Sequence, residues 1–572
     1  MKHPPLWRMF FVIPQSIITF DLIPIMKRNL LLFILPFILI TFSYLPVTSQ
    51  NTVGTLINTP DAYDGFALFT ANYNTYLINN CGQVINQWTS DNLPGRSVYL
   101  LPDGSLLRAE NLPNEYLNIP GMGGLLTLRD WDDNLIWEYQ FSDENILQHH
   151  DFYPMENGNI LVLMLENKSV EEAIQAGRNP DLLIADGLYN EKILEIEMVD
   201  SNDINVVWEW NFWDHLVQEF DSTKENYASV AKNPQLLDIN FLGFSNGNNN
   251  WLHVNSVQYN KSLDQIIISS RQLNELYIID HSTSIEQSAS HSGGRYGRGG
   301  DFLYRWGNPI AYKTGEESDR KLFAQHFPHW IEEGLKDAGK IILFNNGFQR
   351  TTNFSSVDIL TPPINSDGSY ELNVGEAYGP LDFDWTYVDP VDPTNFYSRV
   401  LSGAQRLPNG NTLICEGTSA LFFEIDENDE TVWKYQSPAA LPDPLSQGAP
   451  VDAVESIFRA TKYSKNYPAF VGRDLTPGDP IEQDFNLDQC QVLSVPELVD
   501  TERIRFQNPV QDQLKIETNL IVEKVELYNL QGQKILVANQ EKNINFTYIP
   551  SGMYFIKIFT DQGLLSKKII KA

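Results

Sequence analysis

Five of the nine histidines in this 572-residue chain, His149, His150, His253, His326 and His329, fall in short runs shared with amides, aromatics and one carboxylate. The runs are His149-His150-Asp151, Trp251-Leu252-His253-Val254-Asn255-Ser256 and Gln325-His326-Phe327-Pro328-His329-Trp330. An imidazole in such a setting binds metal, shuttles a proton or attacks an electrophile. Metal sites usually add carboxylates or an organised set of outer partners. Asp151 is the one acidic residue beside these histidines, so neither a metal nor a cofactor is expected. What accompanies them is anion chemistry: Asn255, Arg271, the Asn345-Asn346-Gly347 run and Arg350. Guanidinium and amide donors suit negative charge spread over a sulfuryl or phosphoryl group. Taken singly, a histidine or asparagine is more often a hydrogen-bonded structural residue. Their joint placement on neighbouring strands is what points to function.

Such a set needs a scaffold that brings distant segments to one place, and the sequence supplies a repeat. An apolar run, an Asn-Gly or Asp-Gly turn and a second apolar run recur at 99–107, 153–161 and 406–413, with looser copies at 259–267 and 333–342. Asn and Gly tolerate the positive φ of two-residue turns, so each copy predicts a β-hairpin. Six strands in the same region carry tryptophan: Trp88, Trp137, Trp208, Trp306, Trp385 and Trp433. The chain holds 12 tryptophans, so coincidence competes with a repeat. Polar turns such as Asp132-Asp133-Asn134 before at least three of these strands favour the repeat. Repeats of a hairpin and a tryptophan strand fit blades of four antiparallel strands, and the six tryptophan strands predict an all-β six-bladed β-propeller with tryptophan on each outermost strand. Insertions are expected at 165–200, 211–250 and 281–300. The first strand of each blade lines the channel. Counting eight residues back from the turn glycine gives Arg96, His150 and Ser402, and His253, His326 and His329 stand at the comparable place in the looser blades. The glycine-rich run Ser292 to Gly300 lacks a Walker ending and reads as a loop over the channel or as a surface insertion.

Composition narrows the classes further. With 40 Lys+Arg against 73 Asp+Glu, the net charge of −33 excludes nucleic acid as a partner. Cys81, Cys415 and Cys490 have no C-x-x-C spacing, which removes structural zinc fingers and permits at most one disulfide. Met26-Lys27-Arg28, the apolar stretch 29–40 and Val47-Thr48-Ser49 have the anatomy of a secretory signal peptide starting at Met26. A membrane anchor built on residues 10–25 is the competing reading, opposed by Pro14, Asp21 and Pro24. No later segment reaches the roughly 18 apolar residues of a span, so no permanent membrane span is expected. Period-two alternation at 514–516, 522–528 and 554–558 predicts a small C-terminal β-sandwich. The expected organisation is an N-terminal extension and signal peptide at 1–49, the propeller at 50–475, a linker at 476–499 and the sandwich at 500–572.

Within the last 70 residues or so, Phe506-Gln507-Asn508-Pro509-Val510, Tyr528-Asn529-Leu530-Gln531-Gly532-Gln533, Ile549-Pro550-Ser551-Gly552-Met553-Tyr554 and a lysine-rich end resemble the type A C-terminal sorting domain of the type IX secretion system of Bacteroidetes. That resemblance implies handling by the type IX machinery and export through the periplasm to the surface or beyond. An ordinary carbohydrate-binding or immunoglobulin-like module is the plainer alternative. Over 55–436, His149-His150-Asp151, the run from His253 to Arg271 and the run from Gln325-His326 to Asn345-Asn346-Gly347 resemble the bacterial arylsulfate sulfotransferases. That family implies a six-bladed propeller in which a channel histidine takes sulfate from an aryl sulfate and passes it to a phenol, without nucleotide sulfate. By this resemblance His253, His326 and Arg350 match the sulfuryl-binding and acid/base positions, and His150, Asn255, Arg271, His329 and Asn346 are assigned to substrate. The family's nucleophilic histidine comes from a late blade, where this chain reads Ser402-Gly403-Ala404-Gln405-Arg406. Either another inner histidine acts as nucleophile, or the chain is a surface-exposed propeller that binds a polysaccharide or protein without catalysis.

Overall fold

The computed structural model describes residues 51–184, 186–372, 375–487, 490, 504–529, 534–560 and 563–572. The expected signal peptide, most of the second half of the linker and the tip of the Tyr528 to Gln533 turn lie outside them. Six antiparallel sheets follow one another along the chain. Sheet 1 joins Gly65–Ala71, Asn74–Ile78 and Val84–Thr89 to Ala460–Ser464, which arrives from the far end of the region and takes first place. Sheets 2 to 5 each hold four strands in chain order. They run from Pro94–Leu100 to Leu135–Gln140, from Ile146–Pro154 to Ile204–Asn211, from Val254–Asn260 to Tyr304–Trp306 and from His326–Trp330 to Trp385–Tyr387. Sheet 6 runs from Gly403–Arg406 to Thr431–Gln436 and accepts Gly54–Asn58 as a fifth strand. Both ends of the region are thus sewn into sheets built by the other end.

Hydrogen bonds link each sheet to the next in a cycle. Arg459 Nη2 donates to Ser97 Oγ (2.7 Å), Ser97 Oγ to the His150 carbonyl (3.1 Å), and the Val257 N–H to Asp151 Oδ2 (3.2 Å). Asn255 Nδ2 donates to the Gln325 carbonyl (2.8 Å), Asn346 Nδ2 to the Leu401 carbonyl (3.0 Å) and Gln405 Nε2 to the Lys462 carbonyl (3.1 Å). This arrangement is consistent with a propeller.

The six tryptophans lie on fourth strands, where a large ring fills the wedge toward the next sheet and its N–H needs an acceptor. Five indoles find one there: Trp88 on the Asp130 carbonyl (2.8 Å), Trp137 on Asp203 (3.4 Å), Trp208 on Thr283 Oγ1 (3.1 Å), Trp306 on Pro380 (2.8 Å) and Trp433 on Asn80 (2.9 Å). Trp385 instead has the Arg406 guanidinium of sheet 6 over its ring at 5.3 Å. The hairpin glycines Gly104, Gly158 and Gly410 sit at φ of 89°, 91° and 90°, which explains their place between first and second strands.

At the C-terminus, a three-stranded sheet (Arg505–Phe506, Gln513–Glu517, Asn543–Asn545) and a four-stranded sheet beginning with Lys534–Asn539 and Val522–Tyr528 share one apolar core. Leu514 and Ile516 from the first meet Val525, Leu527 and Ile556 from the second. Alternate residues Gln513, Lys515 and Glu517 are exposed, as the period of two requires. Among the described residues no helix is long and apolar enough to cross a membrane.

Cys81, in the turn before the last strand of sheet 1, is disulfide-bonded to Cys490 across 409 residues of sequence, while Cys415 is free and buried. Three cysteines therefore give the one bridge they allow. A cross-link closing so long a loop restricts the unfolded chain, with an expected worth of about 2–5 kcal/mol. Cys81→Ser should lower the midpoint of thermal unfolding, and a reductant should lower the wild type to the same value while leaving the variant unmoved. A variant that melts with the wild type would show that the bridge constrains nothing of consequence.

Candidate functional site

The first strands are not regular where they approach the centre. In sheets 2, 4 and 5 their pairing slips between Pro94 and Val98, between Val254 and Ser256 and between His326 and His329; in sheet 3 it slips opposite Leu163, at residues 149–151. At or directly before each slip a residue other than glycine holds positive φ: Arg96 (100°), His150 (51°), His253 (46°, just ahead of Val254) and Phe327 (53°), with Ser402 (86°) entering the first strand of sheet 6. A bulge of this kind re-aims side chains that strict alternation would send to opposite faces. Each such backbone costs roughly 1–3 kcal/mol and persists only where its surroundings enforce it, typically at functional sites.

The slips bring His150, His253 and His326 together, with exposures of 3%, 6% and 3%. The His150 and His253 rings are 4.7 Å apart, centroid to centroid, and Phe458 lies 6.3 Å from His150 and 6.5 Å from His326. Burial, then Arg271 nearby, holds His326 down at about 3. Burial first, then the crowding of His150 by His253 and His149 and of His253 by Arg271, also keeps these two well below the ordinary imidazole value. The three rings are therefore neutral over the physiological range. Asn346 fixes the His326 tautomer: its Nδ2 donates to the carbonyls of Ser398 (2.7 Å) and Leu401 (3.0 Å), so its Oδ1 accepts from His326 Nδ1–H (2.7 Å). The proton being on Nδ1, Nε2 of His326 keeps its lone pair. Behind His150 runs a relay, His150 Nδ1 to His149 Nδ1 at 2.9 Å and His149 Nε2 to Glu191 Oε2 at 2.8 Å. Gly121 packs on the other edge of the His150 ring, where a Cβ would collide with Nε2.

A cavity of about 290 Å³ opens beside this group, lined by Asn118, Pro120, Asn248, Asn249, Asn250, His253, Arg271 and Gln272. Asn250 Nδ2 lies 2.8 Å from His253 Nδ1 and occupies that nitrogen. The Arg271 guanidinium lies against the edge-to-face pair of Phe244 and Phe348, 5.1 and 5.6 Å from their centroids, and its Nε has no hydrogen-bond partner among the described residues. Burial, then the like charge of Arg399, lowers Arg271 to about 10, still cationic at neutral pH. Neutral imidazoles facing a part-buried guanidinium beside aromatic rings suit an aromatic anion.

Not every residue singled out in the sequence joins this group. Arg350 donates to the Phe354 carbonyl (2.8 Å) and Ser356 Oγ (2.9 Å) and stacks on Phe354, tied to its own hairpin. His329 turns to the Phe327 carbonyl at 3.1 Å and is held at about 4 by burial. Asn255 bridges to sheet 5 through its amide, and Asn346 acts on His326 rather than on the cavity. Ser402 is buried, donating to Ser398 Oγ (2.8 Å) and accepting from the Gly417 N–H (2.9 Å). The glycine-rich run does not cover the cluster. Arg295 and Tyr296 bind the Leu263 carbonyl, at the end of the first strand of sheet 4 opposite His253. What borders the cavity instead is the Asn118 to Pro120 segment and the Asn248-Asn249-Asn250 run. That run, immediately before Trp251, was the one local signal available in the sequence. Phe458 and Arg459 carry no signal, since they reach the centre only because the closing strand does.

The family described as Arylsulfotransferase (ASST) matches residues 57–439, and the Secretion system C-terminal sorting domain matches residues 506–572. The latter kind of tail directs export to the cell surface or beyond. No curated protein matches the chain. Among solved structures, a protein of unknown function from Bacteroides caccae is 9% identical with a TM-score of 0.36, covering 70% of this chain and 98% of its own. A putative 6-phosphogluconolactonase from Bacteroides uniformis is 9% identical with a TM-score of 0.32, covering 70% and 100%. Apo AztD from Citrobacter koseri is 8% identical with a TM-score of 0.30, covering 70% and 98%. At these scores the likenesses carry no argument.

The buried histidines have a consequence for stability. Unfolded, they take up protons near pH 6.5; folded, they do not until about pH 3 for His326 and about 4 for His329. Between those limits the unfolded chain binds more protons, so stability is full above about pH 6.5 and is lost as pH falls toward the folded values. Denaturant midpoints at about pH 7.5 and about pH 5 should therefore separate, and His326→Gln should narrow the gap. An equal gap in both proteins would mean that this ring is not held neutral.

Proposed function

We propose that this chain, which belongs to the arylsulfotransferase family, is an exported enzyme that moves a sulfuryl group from an aryl sulfate ester to a phenol. Its six sheets are taken as the blades of a closed six-bladed propeller, with the histidine cluster at the centre. The observation that carries this reading is the cavity that His253 shares with Arg271.

In the proposed step, Arg271 holds the sulfuryl oxygens while Phe244 and Phe348 offer apolar faces to the ring of the donor. Nε2 of His253 attacks sulfur. The N–S bond forms as the S–O bond to the phenol breaks, leaving a sulfuryl group on His253 and a phenolate that takes its proton from solvent. The tautomer required has the proton on Nδ1. It forms when the Asn250 amide presents Oδ1, which is buried without a partner as placed, to that nitrogen. An acceptor phenol then gives its proton to the free Nε2 of His326, and its oxygen takes the sulfuryl group from His253. Neither nucleotide nor metal enters the step. A neutral imidazole held below its ordinary range is a nucleophile even in mildly acidic solution, and the guanidinium supplies the stabilisation that negative charge needs as it develops on the sulfuryl group. Arg350 has no part in this step.

A second reading rests on Ser402. It stands where the family's late-blade histidine is expected, and its hydroxyl is already committed to Ser398 and Gly417. This favours a propeller that binds a polysaccharide or protein and performs no transfer. The test is to incubate the full chain with a chromogenic aryl sulfate, with and without phenol. The expected result is phenol-dependent release that falls by at least about a hundredfold in His253→Ala and Arg271→Ala, with a sulfuryl adduct recovered on the His253 peptide when acceptor is withheld. Folded protein with no release at any pH would leave the binding module. Turnover undiminished in His253→Ala would move the nucleophile elsewhere.

A further inference from the structure

We infer that His215, His291 and Asp301 form a site for a divalent transition-metal ion, zinc by its donor set, that pins the insertion at 281–301 to the end of sheet 3. Nothing in it depends on the transferase reading. His215 closes the short turn Phe212–His215 that follows the last strand of sheet 3. His291 and Asp301 bracket the glycine-rich run between the third and fourth strands of sheet 4, whereas the histidine cluster belongs to the first strands.

Asp301 Oδ1 lies 2.9 Å from His215 Nδ1 and 2.7 Å from His291 Nδ1, and donor atoms of the three residues fall within 4.8 Å of one another. Two imidazole nitrogens and one carboxylate oxygen make a three-ligand zinc set with an open fourth position. The tautomer adds an independent argument. His215 Nε2 is 2.8 Å from the Ser288 carbonyl, which only accepts, so Nε2 carries the proton. In the neutral ring Nδ1 is then a bare lone pair facing a carboxylate oxygen at 2.9 Å. Two lone pairs hold that distance only with something electropositive between them, either one more proton shared by His215 and Asp301 or a metal ion. An N–H donated to a backbone carbonyl is also how metal-ligating histidines are commonly oriented.

The surroundings are those of a fixed ligand. His215 is fully buried, parallel to the Trp210 ring at 5.6 Å and 6°, and a Cβ on Gly300 would come within 2.6 Å of its Nε2. Asp301 is 4% exposed. The His291 side chain is 61% exposed and gives the ion its way in. A tetrahedral ion with ligands at about 2.0–2.1 Å keeps its donors roughly 3.3 Å apart, so each histidine nitrogen must draw back from Asp301 Oδ1 by about half an ångström. The exposed His291 has room to do so.

The rival is a protonated His215 paired with Asp301, and metal uptake separates the two. The full chain, stripped with a chelator and returned to neutral pH, would be titrated with zinc and with cobalt(II). One ion per chain is expected, with the visible absorption of a tetrahedral cobalt site and a thermal midpoint that climbs with zinc concentration. His291→Ala, at an exposed position that leaves the fold intact, should weaken uptake by about tenfold or more and abolish the cobalt band. Absence of stoichiometric uptake in the wild type, or equal uptake and the same spectrum in His291→Ala, would overturn the site.

Discussion

One buried carboxylate holds the centre of this molecule together. Asp151 Oδ1 accepts from Arg459 Nη2 (2.7 Å) and from Ser97 Oγ, and Oδ2 accepts from the Val257 N–H (3.2 Å). Arg459 enters with the closing strand of sheet 1, Ser97 belongs to sheet 2 and Val257 to sheet 4, so a single side chain of sheet 3 joins four sheets. The guanidinium also lies 3.8 Å from the centroid of the Phe327 ring, which adds sheet 5. Removing one partner of such a pair strands the other charge in a dry interior, a loss of about 3–5 kcal/mol. Asp151 is also the neighbour of His150. The bulge that sends His150 to the cluster sends Asp151 to this knot, so the residue that secures the ring and the residue that faces the site are set by the same irregular stretch of backbone.

That coupling explains how strained backbone survives at several equivalent places. The left-handed residues Arg96, His150, His253 and Phe327 each sit beside an inter-sheet bond: Ser97 on the His150 carbonyl, Asn255 on the Gln325 carbonyl and Arg459 over Phe327. On the outside, the indole contacts of the fourth strands hold the same sheets at the other end of their width. Sheets pinned at both edges have little freedom to relax a bulge into regular pairing. The histidines are consequently held in a dry centre where the charged form of imidazole is disfavoured, and positive charge there falls to guanidinium groups, which hold their proton when buried.

Much of the fold was legible in the sequence because its signals are local. Asn157-Gly158 or Asn409-Gly410 marks a hairpin turn through the φ that glycine permits, and Trp88 or Trp433 marks a fourth strand because only a large ring fills the wedge. Counting back from those turns placed His150 on a first strand, and His253 and His326 were set there by their comparable place in the looser copies. Other features rest on pairings no local pattern encodes. Arg350 matches a sulfuryl-binding or acid/base position by the family resemblance, yet it bonds its own hairpin, since a guanidinium three residues past a glycine turn finds the Phe354 carbonyl first. Ser292 to Gly300 is flexible by composition, but which end of sheet 4 it folds against is decided by Tyr296 reaching Leu263. Cys490 pairs with Cys81 across 409 residues of sequence, a stretch that holds the whole of sheets 2 to 5. The His215 and Asp301 pair joins residues 86 apart from two different sheets.

The charge of the whole chain and that of the cavity point in opposite directions, and that difference makes physical sense of the site. With 73 acidic against 40 basic residues the exterior repels anions, and part of the basic complement is spent inside: Arg305 on Glu275, Lys462 on Glu424 and Arg459 on Asp151 are all buried pairs. Salt at physiological strength screens the exterior over about 8 Å, so a small anion meets the repulsion only near the surface and then an environment of the opposite kind. Among the described residues no carboxylate is hydrogen-bonded to Arg271, Arg399 adds charge of the same sign, and the histidines contribute none of their own. A cation left without a counter-ion beside three neutral rings is costly to bury unless something anionic completes it. Of the acidic groups close to the cluster, Asp151 is neutralised by Arg459, and Glu191 faces His149 Nε2 at 2.8 Å and accepts from the Val254 N–H. The cavity therefore asks for its counter-ion from solution, which is the electrostatic condition for selecting an anion against a background that otherwise excludes one.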